Sequence, residues 1–232
     1  MTRFAKILAP TGLMMAAAVA MPAHAQVDGK VATVDITRVI ISTPAFQTAY
    51  QQVDTTYAQQ LDLRRTKAQE RQTLLAKYDK NADKQVDDAE LAAMKKSPDL
   101  PKMEALENDI KGLSAQIDGG RVFATEQVLL QFGAALEEVV KAQQIKLVLD
   151  PGSLLYAPAE ADISQAVITS LSAKVPAVGV VPPAGWQPSQ EAVTIYQQIQ
   201  QRLITAQYLQ QQQQAAQQQQ QQPAPTAPPA GR

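Results

Sequence analysis

The chain has 232 residues, with 21 Lys and Arg against 22 Asp and Glu, a net charge of −1, one histidine and no cysteine. That length allows one domain with extensions. Without cysteine there is no thiolate nucleophile, thiolate metal site or disulfide, and a near-neutral balance with no basic stripe argues against nucleic-acid binding. Residues 1–25 read as a secretory signal peptide: Arg3 and Lys6 form a basic start, residues 7–19 an apolar run, and Ala23-His24-Ala25 a small-residue cleavage site. Its removal takes Arg3, Lys6 and His24 with it, leaving 19 basic residues against 22 acidic ones, net −3, and no imidazole for a His-based triad or metal site. No later stretch is long and apolar enough to cross a bilayer.

After a short lead-in over residues 27–30, residues 31–36 (VATVDI) read as a short strand, mostly apolar on both faces and expected to be covered on both. Residues 39–41 continue the apolar surface as a helical turn. Thr43-Pro44 is then a helix start, with Thr43 as N-cap and Pro44 in the first turn. Phe46, Tyr50, Val53, Tyr57 and Leu61 repeat at helical spacing, and Arg64 and Arg71 interrupt the stripe while Ala68, Leu75 and Tyr78 keep its phase. On the return, Met103, Leu106, Ile110, Leu113 and Ile117 form a heptad seam. Ala124, Val128, Phe132, Leu136 and Val139 extend it to residues 145–150 (IKLVLD), a second strand. Two helices of roughly 50–65 Å, folded back on each other over residues 44–144, are too long and thin for a compact core. They predict an arm. Gly119-Gly120 falls inside the return helix, where each glycine costs about 1 kcal/mol relative to alanine; a hinge and a close helix contact are the two readings.

Between the long helices, residues 79–90 (DKNADKQVDDAE) carry oxygen-bearing side chains at EF-hand spacing. Asp79, Asn81, Asp83, Gln85, Asp87 and Glu90 stand at loop positions 1, 3, 5, 7, 9 and 12, and Val86 at the inward aliphatic position 8. These six are the candidate Ca²⁺ ligands. Position 6, where the loop turns sharply and glycine is required, is Lys84. A non-glycine residue there costs roughly 1 kcal/mol and its charge opposes a cation. The stretch is either a weak calcium site or a polar tip with the loop's shape. No catalytic residues converge anywhere, and the chain is expected not to be an enzyme.

Residues 31–50 (VATVDITRVIISTPAFQTAY) and 139–171 (VVKAQQIKLVLDPGSLLYAPAEADISQAVITSL) resemble the two ends of the Skp/OmpH family of periplasmic chaperones. The likeness runs over residues 31–78 and 102–174 in matching order. The resemblance implies an α+β, mainly α fold: a long antiparallel helical hairpin emerging from a small β body (residues 31–43 and 145–174). It further implies a second short strand over residues 154–157, a final helix over 162–174, and a homotrimer whose strands share one body. Three arms would enclose unfolded outer-membrane proteins in the periplasm, without ATP. One departure concerns charge. Residues 45–144 carry 13 basic and 16 acidic side chains, whereas the best-known family member is basic, so capture of lipopolysaccharide or acidic clients by charge is not expected.

Beyond residues 26–174, residues 175–188 read as a proline-rich linker holding the single tryptophan, Trp186. Residues 189–209 read as an amphipathic helix capped by Ser189, with Ala192, Ile195, Tyr196, Ile199 and Leu203 on one face. Residues 210–232, rich in Gln and Pro, read as a disordered tail. The function expected is a periplasmic holdase; a calcium-responsive binding module and a structural coiled-coil adaptor are the alternatives.

Overall fold

The computed structural model describes residues 29–81, 83 and 87–221, with side chains to residue 217. The signal-peptide expectation, Lys84, Gln85, Val86 and the end of the tail lie outside the described residues. Strand β1 (Lys30–Thr33) pairs in parallel with β2 (Ile145–Leu149), Val31 opposite Leu147 and Thr33 opposite Leu149, after an irregularity at Lys30/Val31. The elements described between them are all helices. A parallel pair needs a crossover connection, and here the crossover is the arm itself.

β1 is shorter than its apolar run because Asp35 ends it. The Asp35 carboxylate accepts from the Arg38 N–H at 2.9 Å and caps α1 (Ile36–Ser42), whose Val39 and Ile40 are fully buried. Thr43 and Pro44 do start α2 (Pro44–Thr56), but the Thr43 hydroxyl donates back to the Val39 carbonyl at 2.8 Å instead of capping. The outgoing limb breaks at Tyr57 (φ −106°, ψ 24°) and resumes as α3 (Ala58–Ala76). A short α4 (Asp88–Lys95) follows the tip, and α5 (Leu100–Gln143) returns as one unbroken helix of 44 residues, roughly 66 Å long. It ends at Gln144 in the left-handed region (φ 56°), which lets the chain turn at once into β2.

In the heptad seam of α5, Met103, Leu106 and Ile117 are buried and Ile110 and Leu113 half-buried, and the stripe continues with the buried Val128 and Phe132. Three apolar clusters result. One fills the body between the sheet, α1, α5 and α6 (Ser164–Lys174); one lies at the arm's base around Ala49, Val53, Ile117 and Ala124; one closes the tip around Leu74, Met94, Met103 and Leu106.

Four expectations change. Val31 and Leu147 are 44% and 39% exposed, so one sheet face is open at this pair rather than covered throughout. Residues 154–157 form no strand: Leu155 and Tyr156 stand in solvent, and the free edge of β1 is met instead by Asp162–Ile163, with the Ile163 N–H donating to the Thr33 carbonyl at 2.9 Å. Residues 175–188 are not a loose linker but pack along the arm's base, Val180 being 2% exposed. The last helix, α7 (Gln190–Gln221), runs through the glutamine tract instead of stopping at residue 209. Glutamine is a good helix former, and the packed turns at Ala192–Ile199 supply the nucleus from which the helix extends. Ser189 caps it as expected, its hydroxyl accepting from the Ala192 N–H at 3.2 Å.

The two readings of Gly119-Gly120 separate residue by residue. α5 continues through both. A Cβ on Gly119 would meet nothing within 4 Å, but one on Gly120 would lie 2.7 Å from the Val180 carbonyl and 2.8 Å from the Tyr57 ring. Gly120 is a close contact.

Candidate functional site

Three regions of the described surface are candidates for a functional site. The first is the arm's tip. Asp87 is the N-cap of α4: its carboxylate accepts from the Glu90 N–H at 2.9 Å, while Glu90 accepts from the Asp87 N–H at 3.2 Å. The other Glu90 oxygen accepts from the Lys80 N–H at 2.7 Å, and the side chain is buried. Asn81 and Asp83 bond to each other in a local turn. The described candidates Asp79, Asn81, Asp83, Asp87 and Glu90 thus lie on one short loop, with Gln85 outside the described residues. Among the described residues no group of three or more His, Cys, Asp or Glu side chains is arranged to hold a metal.

The second region is the sheet platform. Val31 and Leu147 of the sheet, and Leu155 and Tyr156 after it, are large apolar side chains left in water. A shallow groove of about 730 Å³ also runs along the arm beside Leu61, Arg64, Ala68 and Ile110. Among the described residues no helix is long and apolar enough to cross a membrane.

The third region is the base of the arm, where residues 175–202 meet α2 and α5. Arg121 lies 3.3 Å from Asp54, 3.5 Å from Asp118 and 5.4 Å from the Tyr50 ring centre. Tyr196 donates to Asp118 at 2.7 Å, and Gln200 donates to the Tyr50 hydroxyl at 2.5 Å. Farther toward the body, Glu126 accepts from the Trp186 indole and the Ser189 N–H, both at 2.8 Å. Burial opposes ionisation of Glu126, but these bonds outweigh it and hold the carboxyl below its usual range. Asp118, Arg121, Glu126 and Gln127 are invisible as a set in the sequence, because their partners lie tens of residues away and carry no motif.

Burial pushes the Tyr50 hydroxyl up to about 12, against the pull of Arg121, and burial with the Asp118 bond also raises Tyr196. A phenol held neutral by the fold stabilises it fully below the unfolded value near 10 and loses that contribution as pH climbs toward the folded value. Thermal melts should therefore show stability falling from about pH 10 upward. Tyr196→Phe should flatten that fall. An equal slope in wild type and variant would remove these tyrosines as its cause.

Residues 30–171 match the family described as outer membrane protein (OmpH-like). No curated protein is similar enough in sequence to match. A crystal structure of a candidate OmpH-like outer membrane chaperone from Caulobacter crescentus is 17% identical, covers 68% of this chain and 94% of its own, and superposes with a TM-score of 0.42. The match over residues 30–171 includes both strands, the whole arm and most of α6.

Proposed function

The chain belongs to the OmpH-like family of outer membrane proteins, and from that premise we propose that it is a periplasmic holdase for unfolded outer-membrane proteins. The OmpH-like family consists of chaperones, not enzymes. The finer reading is that the chain leaves the cytoplasm through its first 25 residues, assembles as a homotrimer, and shelters barrel precursors between its arms on the way to the outer membrane. The observation that carries it is the match across strands and arm together.

Physical support comes from the open platform. A two-stranded sheet is marginal alone, and further copies would cover the exposed Val31, Leu147, Leu155 and Tyr156. With an acidic arm, clients would be held by many weak apolar contacts rather than by charge. No nucleotide-binding loop exists in the sequence, so holding needs no ATP.

The mature chain should keep a urea-unfolded outer-membrane barrel soluble on dilution, without nucleotide. Val148→Asp, which places a charge on the half-buried side of β2, should abolish that activity by breaking the body. Aggregation of the barrel at the same rate with and without the wild-type chain would overturn the holdase reading.

Calcium binding by residues 79–90 is a separate proposal, resting on ligand spacing. Calorimetry should give a dissociation constant on the order of 1 mM for the wild type and a tighter one for Lys84→Gly, which relieves the turn and removes a charge. Absence of heat in both proteins would leave the tip a polar turn.

A further inference from the structure

The family match ends at residue 171, and the chain beyond it packs at the level of the arm where the outgoing helix is interrupted and the returning one carries two glycines. The outgoing limb breaks at Tyr57, between α2 and α3. The returning limb carries Gly119-Gly120 at the same height, for the Tyr57 ring lies against Gly120. A helix break opposite a glycine pair is where a two-helix arm bends most easily.

Residues 175–189 cross this level. The Val180 carbonyl accepts from the Tyr57 hydroxyl at 3.1 Å and sits over Gly120, where any side chain would displace it. Val180 is buried with Val53 and Ile117, with Tyr57 and Leu61 packed against them, residues from both sides of the break. Gln127 clamps the same segment with two bonds, donating to the Gly179 carbonyl at 2.8 Å and accepting from its N–H at 3.0 Å. Trp186 packs edge-on to Phe123, with ring centres 5.2 Å apart.

α7 then ties arm to body. Tyr196 and Gln200 bond to Asp118 and Tyr50 of the arm, whereas Gln198 accepts from Thr37 at 2.8 Å and Arg202 pairs with Asp35 at 2.7 Å, both on the body. After Arg202 the described side chains of the helix are exposed.

We propose that residues 175–202 are a brace, latched through Gly120 over a hinge at Tyr57 and Gly119, that fixes the angle between arm and body. Such a device sets how far the arms open, and its existence does not depend on what the arms hold. Side-chain and main-chain hydrogen bonds carry much of it, so it specifies one angle where apolar packing alone would permit sliding.

The chain has no cysteine, so spin labels can be placed at will. One goes on α3 beyond the hinge (Gln69→Cys) and one on α6 in the body (Gln165→Cys), both exposed positions. Labelled full-length protein is diluted with unlabelled protein so that only distances within one copy are read. The combined change Gln127→Ala, Trp186→Ala and Arg202→Ala should broaden the distance distribution about two-fold. Removal of residues 208–232, which lie beyond the brace, should leave its width unchanged. Tyr57→Phe keeps the ring and loses only the bond to Val180; it should broaden the distribution less, and it decides the matter should the triple variant not fold. A folded variant with the wild-type width would overturn the brace.

Discussion

The parallel pairing of Lys30–Thr33 with Ile145–Leu149 closes a chain excursion that begins at residue 33 and returns at residue 145. Loop-closure entropy rises only slowly with length, so a long excursion is tolerable if it stiffens itself. The heptad seam of α5 against α2 and α3 does that. The cost falls on the sheet, which has two short strands and cannot bury both its faces. α1, α6 and the body end of α5 cover one side; Val31 and Leu147 remain on the other. An arm this long therefore goes with a small body whose sheet leaves Val31 and Leu147 exposed.

The packing along the arm is uneven. Apolar clusters secure its tip and its base, and Arg64 and Arg71 fall in the stretch between, where the stripe lapses. At the base, apolar packing is joined by polar bonds from a segment outside the family-matched region. Gly120 shows how closely that segment is fitted: the bare backbone there admits the Val180 carbonyl and the Tyr57 ring together. The polar tip is held differently, by the reciprocal bonds of Asp87 and Glu90 that start α4. Those bonds occupy both Glu90 oxygens, so a cation at this carboxylate would compete with two backbone N–H groups.

Periodicity made the arm legible, because residues such as Met103, Leu106 and Ile117 must face a partner whatever the details of the turn. The strands were legible in place though not in extent, since Asp35 commits its side chain to a cap and ends β1 early. The strand expected over residues 154–157 has no partner within one copy, which no local pattern could reveal. Residues 175–188 read as a linker because prolines interrupt every period; their packing depends on Glu126 and Gln127, ordinary polar positions of a long helix. Glutamines after residue 209 suggested disorder by composition, yet they continue a helix that has already begun. Of the candidate calcium ligands, Asp87 and Glu90 are placed by helix capping, a role the same spacing serves equally well.

The central claim is that one copy of this chain is incomplete and that copies complete each other to hold a client. Sedimentation velocity of the mature chain, alone and with an unfolded outer-membrane barrel protein, tests it most directly. The account predicts a trimer across the micromolar range, shifting to a heavier species that contains the client. A folded monomer that sediments independently of the client would contradict it.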